Sequence, residues 1–242
     1  MKSSLLKMLR LTLFLLLVLA NLSSARFLGW SFIDGELTQS DHLFPHPSSE
    51  RVIPLQSAVI GSKELCIHNN SGRITVDQCG AESSDFWWQS PDGWEVKEAF
   101  FADLDRNGEQ ELVLLVWRPF APWPVDRFMP RGGRIDTFHD ANGNSCHLIL
   151  IRLSSEEPEE IWAGSALSDP IHSLLAIDLD GDGYQELAAI EYAYDNKNSD
   201  GSVVVWQWNG FGFSLADREN GTYRSLFALS ADQSVILITQ QQ

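Results

Sequence analysis

The sequence DLDRNGEQEL, from Asp103 to Leu112, recurs as DLDGDGYQEL, from Asp178 to Leu187. Apolar runs flank each copy: AFFA and VLLVW around the first, LLAI and AAIEY around the second. Short runs rich in Val, Ile, Leu and Phe are typical of β-strands. Both copies are therefore predicted to be turns of β-hairpins, which places the chain in the all-β class.

Oxygen-bearing side chains recur at positions 1, 3, 5 and 9 of each loop, with glycine at position 6. A hard cation such as calcium takes 6–8 oxygen ligands, and a glycine with positive φ bends the chain around it. The candidate ligands of the second loop are Asp178, Asp180, Asp182, Glu186 and the carbonyl of Tyr184. Those of the first loop are Asp103, Asp105, Asn107, Glu109 and Glu111. Because Asn107 is neutral, the first loop is expected to bind calcium more weakly.

The loops are not EF-hands. An EF-hand takes a bidentate Glu from position 12 of its loop, where this chain has Leu114 and Ala189. It also has helices on both sides, whereas strands are predicted here. The alternative is an ordinary Asp-Gly hairpin turn that binds no metal.

The pattern D-x-D-x-[DN]-G-x-x-E-L between strands resembles the FG-GAP and VCBS repeats, the calcium-loop β-propeller units of integrin α chains and many bacterial surface proteins. The resemblance is good over the two loops and their flanking strands, extends over roughly residues 60–240 and is absent from the first 50. The family usually has Asp at position 9, whereas both copies here have Glu. The resemblance implies a calcium-binding, extracellular binding or scaffolding module. It also implies a β-propeller-like array.

The N-terminus reads as a secretory signal. Basic residues precede the apolar run LTLFLLLVLA, which is too short to span a bilayer, and SSA follows it. Cleavage is predicted after Ala25, with an uncleaved N-terminal anchor as the alternative. Residues 26–52 are polar and are interpreted as a leader or linker, so the propeller-like domain is predicted to cover 53–242. No other segment is long and apolar enough to cross a membrane.

The chain is strongly acidic. Its 17 Lys and Arg face 33 Asp and Glu, a formal net charge of −16. Removal of residues 1–25 takes away Lys2, Lys7 and Arg10 and no acidic residue, which leaves a net charge of −19. Nucleic-acid binding needs basic patches, so we do not expect this acidic chain to bind nucleic acid. The balance fits a secreted, cell-surface or periplasmic cation-binding protein whose partner is an extracellular protein or a glycan.

Three cysteines are present. Cys66 and Cys79 flank a predicted hairpin, and a disulfide between them is one interpretation in an oxidising compartment. Cys146 begins the run CHLILIRL and is expected to be a buried, small apolar residue. No Cys/His spacing suggests zinc.

A hairpin followed by a strand, acidic loop and strand occurs from about 64 to 117 and again from about 147 to 192. A third hairpin, 203–216, begins a unit without an acidic loop. About twelve strands predict about three four-stranded blades. Closed propellers typically need at least four blades. The ring is therefore incomplete, closed by terminal strands, or completed by another chain.

Residues 118–138 interrupt the strand pattern with four prolines and several arginines. Long loops on rigid β scaffolds often carry binding, so this loop is a candidate docking site for an anionic or carbohydrate partner. The candidate binding residues are Arg118, Trp123, Arg127, Arg131 and Arg134. The alternative is a blade connection whose arginines pair with nearby carboxylates. Of the tryptophans, Trp87, Trp88 and Trp123 are the exposed candidates for stacking on sugar rings.

Catalysis has little support in the sequence. Ser165 lies in AGSAL, which is not a G-x-S-x-G nucleophile elbow, and the paired carboxylates belong to the predicted metal loops. A binding or scaffolding role is therefore the leading hypothesis. Carbohydrate recognition is the alternative, and a hydrolase built from distant residues is the third.

Overall fold

A computed structural model describes residues 26–40, 51–80, 86–121, 137–153, 157–196, 198, 200–231 and 234–241. Every helix or strand element in these ranges is a β-strand, and all the strand pairs are antiparallel. The prediction of an all-β chain built from four-stranded, propeller-like sheets is confirmed.

The first sheet has the strand order β4-β5-β6-β7. Its strands are β4 (Ser57–Ile60), β5 (Lys63–Asn70), β6 (Arg73–Gln78) and β7 (Trp88–Gln89). A disulfide joins Cys66 to Cys79 across the β5–β6 hairpin. Cys66 lies on β5 and Cys79 follows β6, so the disulfide that the sequence left open is present.

The second sheet has the order β11-β10-β9-β8. Its strands are β8 (Glu95–Ala102), β9 (Glu111–Pro119), β10 (Asn144–Leu153) and β11 (Pro158–Ala163). Alternate residues of β9 point to opposite faces. Leu112 and Leu114 join the core on one face, and Val113 and Leu115 join the core on the other. β9 therefore reads as a continuous apolar run because both faces of this sheet are covered.

The third sheet has the order β12-β13-β14-β15-β16-β1-β2, and β3 also pairs with β15. Its strands are β12 (Ile171–Ile177), β13 (Glu186–Glu191), β14 (Gly201–Trp208), β15 (Phe213–Ala231), β16 (Ser234–Gln241), β1 (Arg26–Ile33), β2 (Glu36–Gln39) and β3 (Arg51–Val52). β15 is long enough to pair with strands of two layers. Its first part pairs with β14, and its second part, from Tyr223 onward, pairs with β16.

The expected leader, residues 26–52, is corrected by the structure. β1 pairs with β16, so that Trp30 lies opposite Leu237, and β1 also forms a hairpin with β2. Trp30 is 2% exposed, and its indole N–H donates to Thr239 Oγ1 at 2.9 Å. The N-terminal strands thus complete a last four-stranded layer with the C-terminal strands. Residues 41–50 of the expected leader and the predicted signal, 1–25, lie outside the described residues.

Three apolar cores fill the spaces between successive layers. One lies between the first and second sheets, and a second lies between the second sheet and the β12–β14 part of the third sheet. The third lies between the β12–β14 part and the layer made by β15, β16, β1 and β2. Apolar burial on both faces of the inner layers fixes the hairpins and therefore the loops at their ends.

The described part of the chain contains no helix that is long and apolar enough to cross a membrane.

Candidate metal centre

The two acidic loops occupy the same place in successive layers. The first connects β8 to β9, and the second connects β12 to β13. Gly108 and Gly183, at position 6, have φ of +87° and +90°. Both are in the left-handed region that a Cβ disfavours, as the loop pattern requires.

The second loop folds around its aspartates. Asp178 accepts hydrogen bonds from the backbone N–H groups of Gly181, at 2.7 Å, and Gly183, at 3.0 Å. Asp180 and Asp182 each accept one from the N–H two residues further on, at 3.1 and 2.8 Å. Oxygens of the three aspartates lie within 4.8 Å of one another. Three carboxylates therefore converge on one point at the surface.

Glu186, at position 9 of the second loop, lies behind this cluster. It is fully buried, and its Oε2 accepts from the backbone N–H of Leu179 at 2.9 Å. Its Oε1 is buried and has no hydrogen-bond partner among the described residues. Burial raises the pKa of Glu186 to about 7, and Asp180 and Asp182 add to the increase. The predicted ligand is thus adjacent to the cluster but is not one of its three converging carboxylates.

In the first loop the converging carboxylates are those of Asp103, Asp105 and Glu111. Glu111 is fully buried, and its Oε2 accepts from the N–H of Leu104 at 3.1 Å. Its Oε1 has no partner among the described residues. Burial raises the pKa of Glu111 to about 7, and Asp105 is the next cause.

Two features reduce the negative charge of the first loop. Asn107 is neutral, and its amide group donates to Asp105 Oδ2 at 3.0 Å. Arg152 on β10 forms an ion pair with the same oxygen at 2.8 Å. The second loop has Asp182 in place of Asn107, and Asp180 in place of Asp105 makes no ion pair among the described residues.

Glu109 and Tyr184, at position 7, lie outside both carboxylate clusters. Their side chains are exposed, and that of Tyr184 is 44% exposed. A role for their backbone carbonyls as ligands stays a prediction.

The donor sets suit calcium. Each cluster offers carboxylate oxygens and no nitrogen or sulfur, which is the chemistry that a hard cation prefers. A buried carboxylate oxygen without a hydrogen bond is costly, and each loop holds one, on Glu111 and on Glu186. The Glu186 oxygen has only the longer ion-pair contact with Arg106, at 3.6 Å. A bound cation would suit the oxygen donors and would offset the cost of the buried carboxylate oxygens.

The loops also contact each other, which their sequences did not reveal. The backbone N–H of Asp103 donates to the side chain of Gln185 at 2.9 Å. The guanidinium of Arg106 lies 3.6 Å from Glu186 Oε1 and 4.8 Å from the ring centroid of Tyr184. The contacts bring together residues 78 to 82 positions apart, and repeat spacing alone does not predict them.

Of the residues proposed for docking, the structure describes only Arg118. It lies near the end of β9, partly buried, with its guanidinium 5.5 Å from the Trp94 ring centroid and 3.4 Å from His147 Nδ1. Arg118 therefore packs within the fold. Trp123, Arg127, Arg131 and Arg134 lie outside the described residues, and their docking role stays a prediction.

Two of the three tryptophans expected at the surface, Trp87 and Trp88, are partly buried. Trp87 and Trp88 pack against the core between the first and second sheets, and Lys63 lies 4.2 Å from the Trp87 ring centroid. Stacking on sugars is not their evident role.

One serine–histidine contact is present. Ser145 Oγ lies 2.7 Å from His147 Nε2, but Ser145 is fully buried and His147 is 6% exposed. Both are on β10, inside the fold, where a substrate has no access to the hydroxyl. The contact is a structural hydrogen bond.

No protein with a curated description matches this chain. The family model of the FG-GAP repeat matches residues 171–206, which contain the second loop with β12, β13 and most of β14. FG-GAP repeats are non-catalytic modules of extracellular binding and scaffold proteins, and they generally bind calcium. The match confirms, over residues 171–206, the resemblance to the FG-GAP repeat that their acidic loop and flanking strands had suggested.

Proposed function

We propose that the protein is a secreted, calcium-binding repeat module that acts in extracellular binding or scaffolding. The observation that carries the proposal is the convergence of Asp178, Asp180 and Asp182 within 4.8 Å inside the segment that matches the FG-GAP repeat. The match to the FG-GAP repeat supports a role in extracellular binding or scaffolding. The three converging carboxylates support calcium as the ligand.

Calcium in these loops would act on the architecture. Each loop joins the edge strand of its layer to the next strand, and carboxylates held together without a cation repel one another. A ligand that binds only the folded state stabilises that state. The loops would thus use extracellular calcium to stiffen the hairpins at one end of the layers.

The second loop is the stronger proposed site. Its three aspartates are partly or fully exposed, so calcium has access. In the first loop, Arg152 already neutralises part of the charge of Asp105. We expect the second loop to bind with the affinity of extracellular calcium modules, about 0.1–1 mM, and the first loop to bind more weakly.

Secretion is supported by two observations. The first 25 residues have the composition of a signal peptide, and a disulfide joins Cys66 to Cys79. Disulfides persist in oxidising, extracytoplasmic compartments. The remaining cysteine, Cys146, is fully buried, and burial raises the pKa of its thiol to about 12, so it is protected from exchange.

The proposed partner is an extracellular protein or a glycan. Support for a partner comes from the module type and from the rigid array of layers, which presents loops at both ends. Arg127, Arg131 and Arg134 remain the candidate contact for an anionic partner.

A calorimetric calcium titration of the chain without residues 1–25 tests the proposal. Asp180→Ala should abolish the stronger binding event and lower the melting temperature in calcium but not in EDTA. Asp92→Ala is the matched control, because Asp92 is a surface aspartate, 92% exposed, outside both loops. An unchanged titration in Asp180→Ala would show that the second loop is an ordinary turn.

A further inference from the structure

A cleft of about 490 Å³ opens at the ends of the strands opposite to the acidic loops. Its walls come from the starts of β8, β10 and β12 and from the ends of β9 and β13. The residues that matter for its chemistry are Glu95, Glu98, Trp117, Asp140, His172 and Tyr192. The cleft therefore lies between the second and third sheets, at the ends of the strands opposite to the acidic loops.

Three carboxylates, those of Glu95, Glu98 and Asp140, and one ammonium, that of Lys97, line this cleft. Glu98 is the carboxylate that the two sheets enclose between them. It is partly buried, and it hydrogen-bonds to the backbone of Leu174 on β12. Burial raises the pKa of Glu98 to about 7, and a cation bound beside the carboxyl would favour its charged form. Lys97 also lines the cleft and forms its ion pair with Glu95, and none of the ion pairs among the described residues involves Glu98. A partly desolvated carboxylate without a cation favours a positively charged ligand.

Aromatic rings line the same cleft. Trp117 packs edge-on against Tyr194, with ring centroids 5.8 Å apart, and Tyr192 packs edge-on against His172 at 6.3 Å. These contacts hold Trp117 and Tyr192 in place. Aromatic faces attract ammonium and guanidinium groups, so the rings and Glu98 favour the same ligand charge.

The arrangement disfavours a metal ion. The described residues hold only two groups of three or more carboxylates with oxygens within 4.8 Å, and both are in the acidic loops. Asp140 Oδ1 already accepts hydrogen bonds from the N–H groups of Asn142, at 2.9 Å, and Asn144, at 2.8 Å. No three carboxylates of the cleft thus bring their oxygens within 4.8 Å of one another to surround one ion. An extended organic cation fits better, since its charge can face Glu98 while its carbon chain contacts the rings.

We propose that this cleft binds an alkylammonium group, the chemistry shared by a lysine side chain of a partner and a free diamine. Glu98 forms the ion pair with the ammonium, and Trp117 and Tyr192 contact the ammonium and the adjoining methylenes. The site goes beyond the proposed function, because it lies at the other end of the strands and does not depend on calcium in the loops.

Nuclear magnetic resonance titration tests the site through the indole N–H signal of Trp117, assigned with the variant Trp117→Phe. The probes are N-acetyl-lysine methylamide, cadaverine and the neutral analogue 1-pentanol. Both amines should shift the signal and saturate with a dissociation constant of about 1 mM, a typical weak affinity for so small a ligand. Pentanol should cause no saturable shift. The tighter of the two amines identifies the source, a partner's lysine or a free diamine.

Glu98→Gln removes the charge and retains the shape, and it should weaken amine binding at least tenfold. Glu64→Gln is the control, because it changes the net charge equally at an exposed residue of the first sheet. Asp180→Ala should leave amine binding unchanged, so a failure of the calcium proposal and a failure of this one are separable. Absence of saturable shifts with both amines, equal shifts with pentanol, or full binding by Glu98→Gln would each overturn the assignment.

Discussion

Gln185 accepts a hydrogen bond from the backbone N–H of Asp103, with 2.9 Å between Oε1 and N. The second acidic loop thus holds the first residue of the first loop. Gln110 occupies the corresponding position of the first loop, but its Oε1 is buried without a partner among the described residues. The glutamine of the second loop therefore contacts the first loop, whereas the corresponding glutamine oxygen of the first loop makes no such contact.

We predict that Gln185→Ala lowers the free energy of unfolding by about 1–2 kcal/mol, because it leaves the N–H of Asp103 without its acceptor. Gln110→Ala is the matched control and should cost less, since the Gln110 oxygen has no partner to lose. Urea denaturation in EDTA measures both values. Equal costs for the two variants would contradict a specific role for Gln185.

The second prediction concerns Arg106, whose guanidinium lies 3.6 Å from Glu186. Arg106→Gln and Arg106→Gly both remove a positive charge beside the second loop, so calcium affinity there should rise about three- to tenfold. Arg73→Gln, at an exposed arginine of the first sheet, should leave it unchanged. Calorimetric titration measures the affinities, and unchanged or weaker binding in both Arg106 variants would contradict the prediction.

Arg106 also has φ of +66°, whereas the second loop has Gly181 at the same position, with φ of +80°. A left-handed conformation costs a non-glycine residue about 1–2 kcal/mol. Without calcium, Arg106→Gly should therefore be more stable than Arg106→Gln by about 1 kcal/mol. Chemical denaturation of the two variants in EDTA gives this difference directly.

The third prediction is that Asn107→Asp strengthens calcium binding by the first loop and destabilises the metal-free protein. The change adds a carboxylate and removes the amide that donates to Asp105 at 3.0 Å. Calcium affinity rises with ligand charge. Asn142→Asp is a suitable control, because Asn142 also donates to an aspartate two residues before it, Asp140, outside the acidic loops. Affinity that stays flat or falls in Asn107→Asp would mean that residue 107 does not face the ion.

The fourth prediction is a pH dependence of stability that arises from His147. Burial lowers the pKa of its imidazole to about 4. The unfolded chain, with a histidine pKa near 6.5, therefore binds a proton that the folded chain does not. The stability contribution is fully present above about pH 6.5 and is lost progressively as pH falls from about 6.5 to about 4, up to about 3 kcal/mol in total.

His147→Asn retains an N–H donor for the carbonyl of Gly164, which lies 3.1 Å from Nδ1, but it cannot titrate. The wild-type protein should therefore lose more stability between pH 7 and pH 4.5 than the variant does. Denaturation in EDTA at a series of pH values measures the two slopes. Parallel slopes would show that His147 is protonated equally in the folded and unfolded states.

Local pattern was enough to predict much of this protein. Alternating and continuous apolar runs predicted the strands of the first two sheets, because side chains on a strand alternate between its faces. The acidic loops were predicted with their glycines, since ligand spacing within a hairpin turn is a property of a few adjacent residues. The disulfide between Cys66 and Cys79 could be suggested in the same way, because both cysteines flank one hairpin.

The sequence by itself determined most of the strands after residue 52 and the acidic loops between them. The tertiary structure decided which distant elements meet. Residues 26–39 looked like a polar leader, yet β1 pairs with β16 and buries Trp30 against the third sheet. Such a pairing depends on which apolar face remains to be covered after the other layers have packed. For the same reason the contact of Arg106 with Glu186, and the cleft around Glu98, arise only when separate layers are brought together.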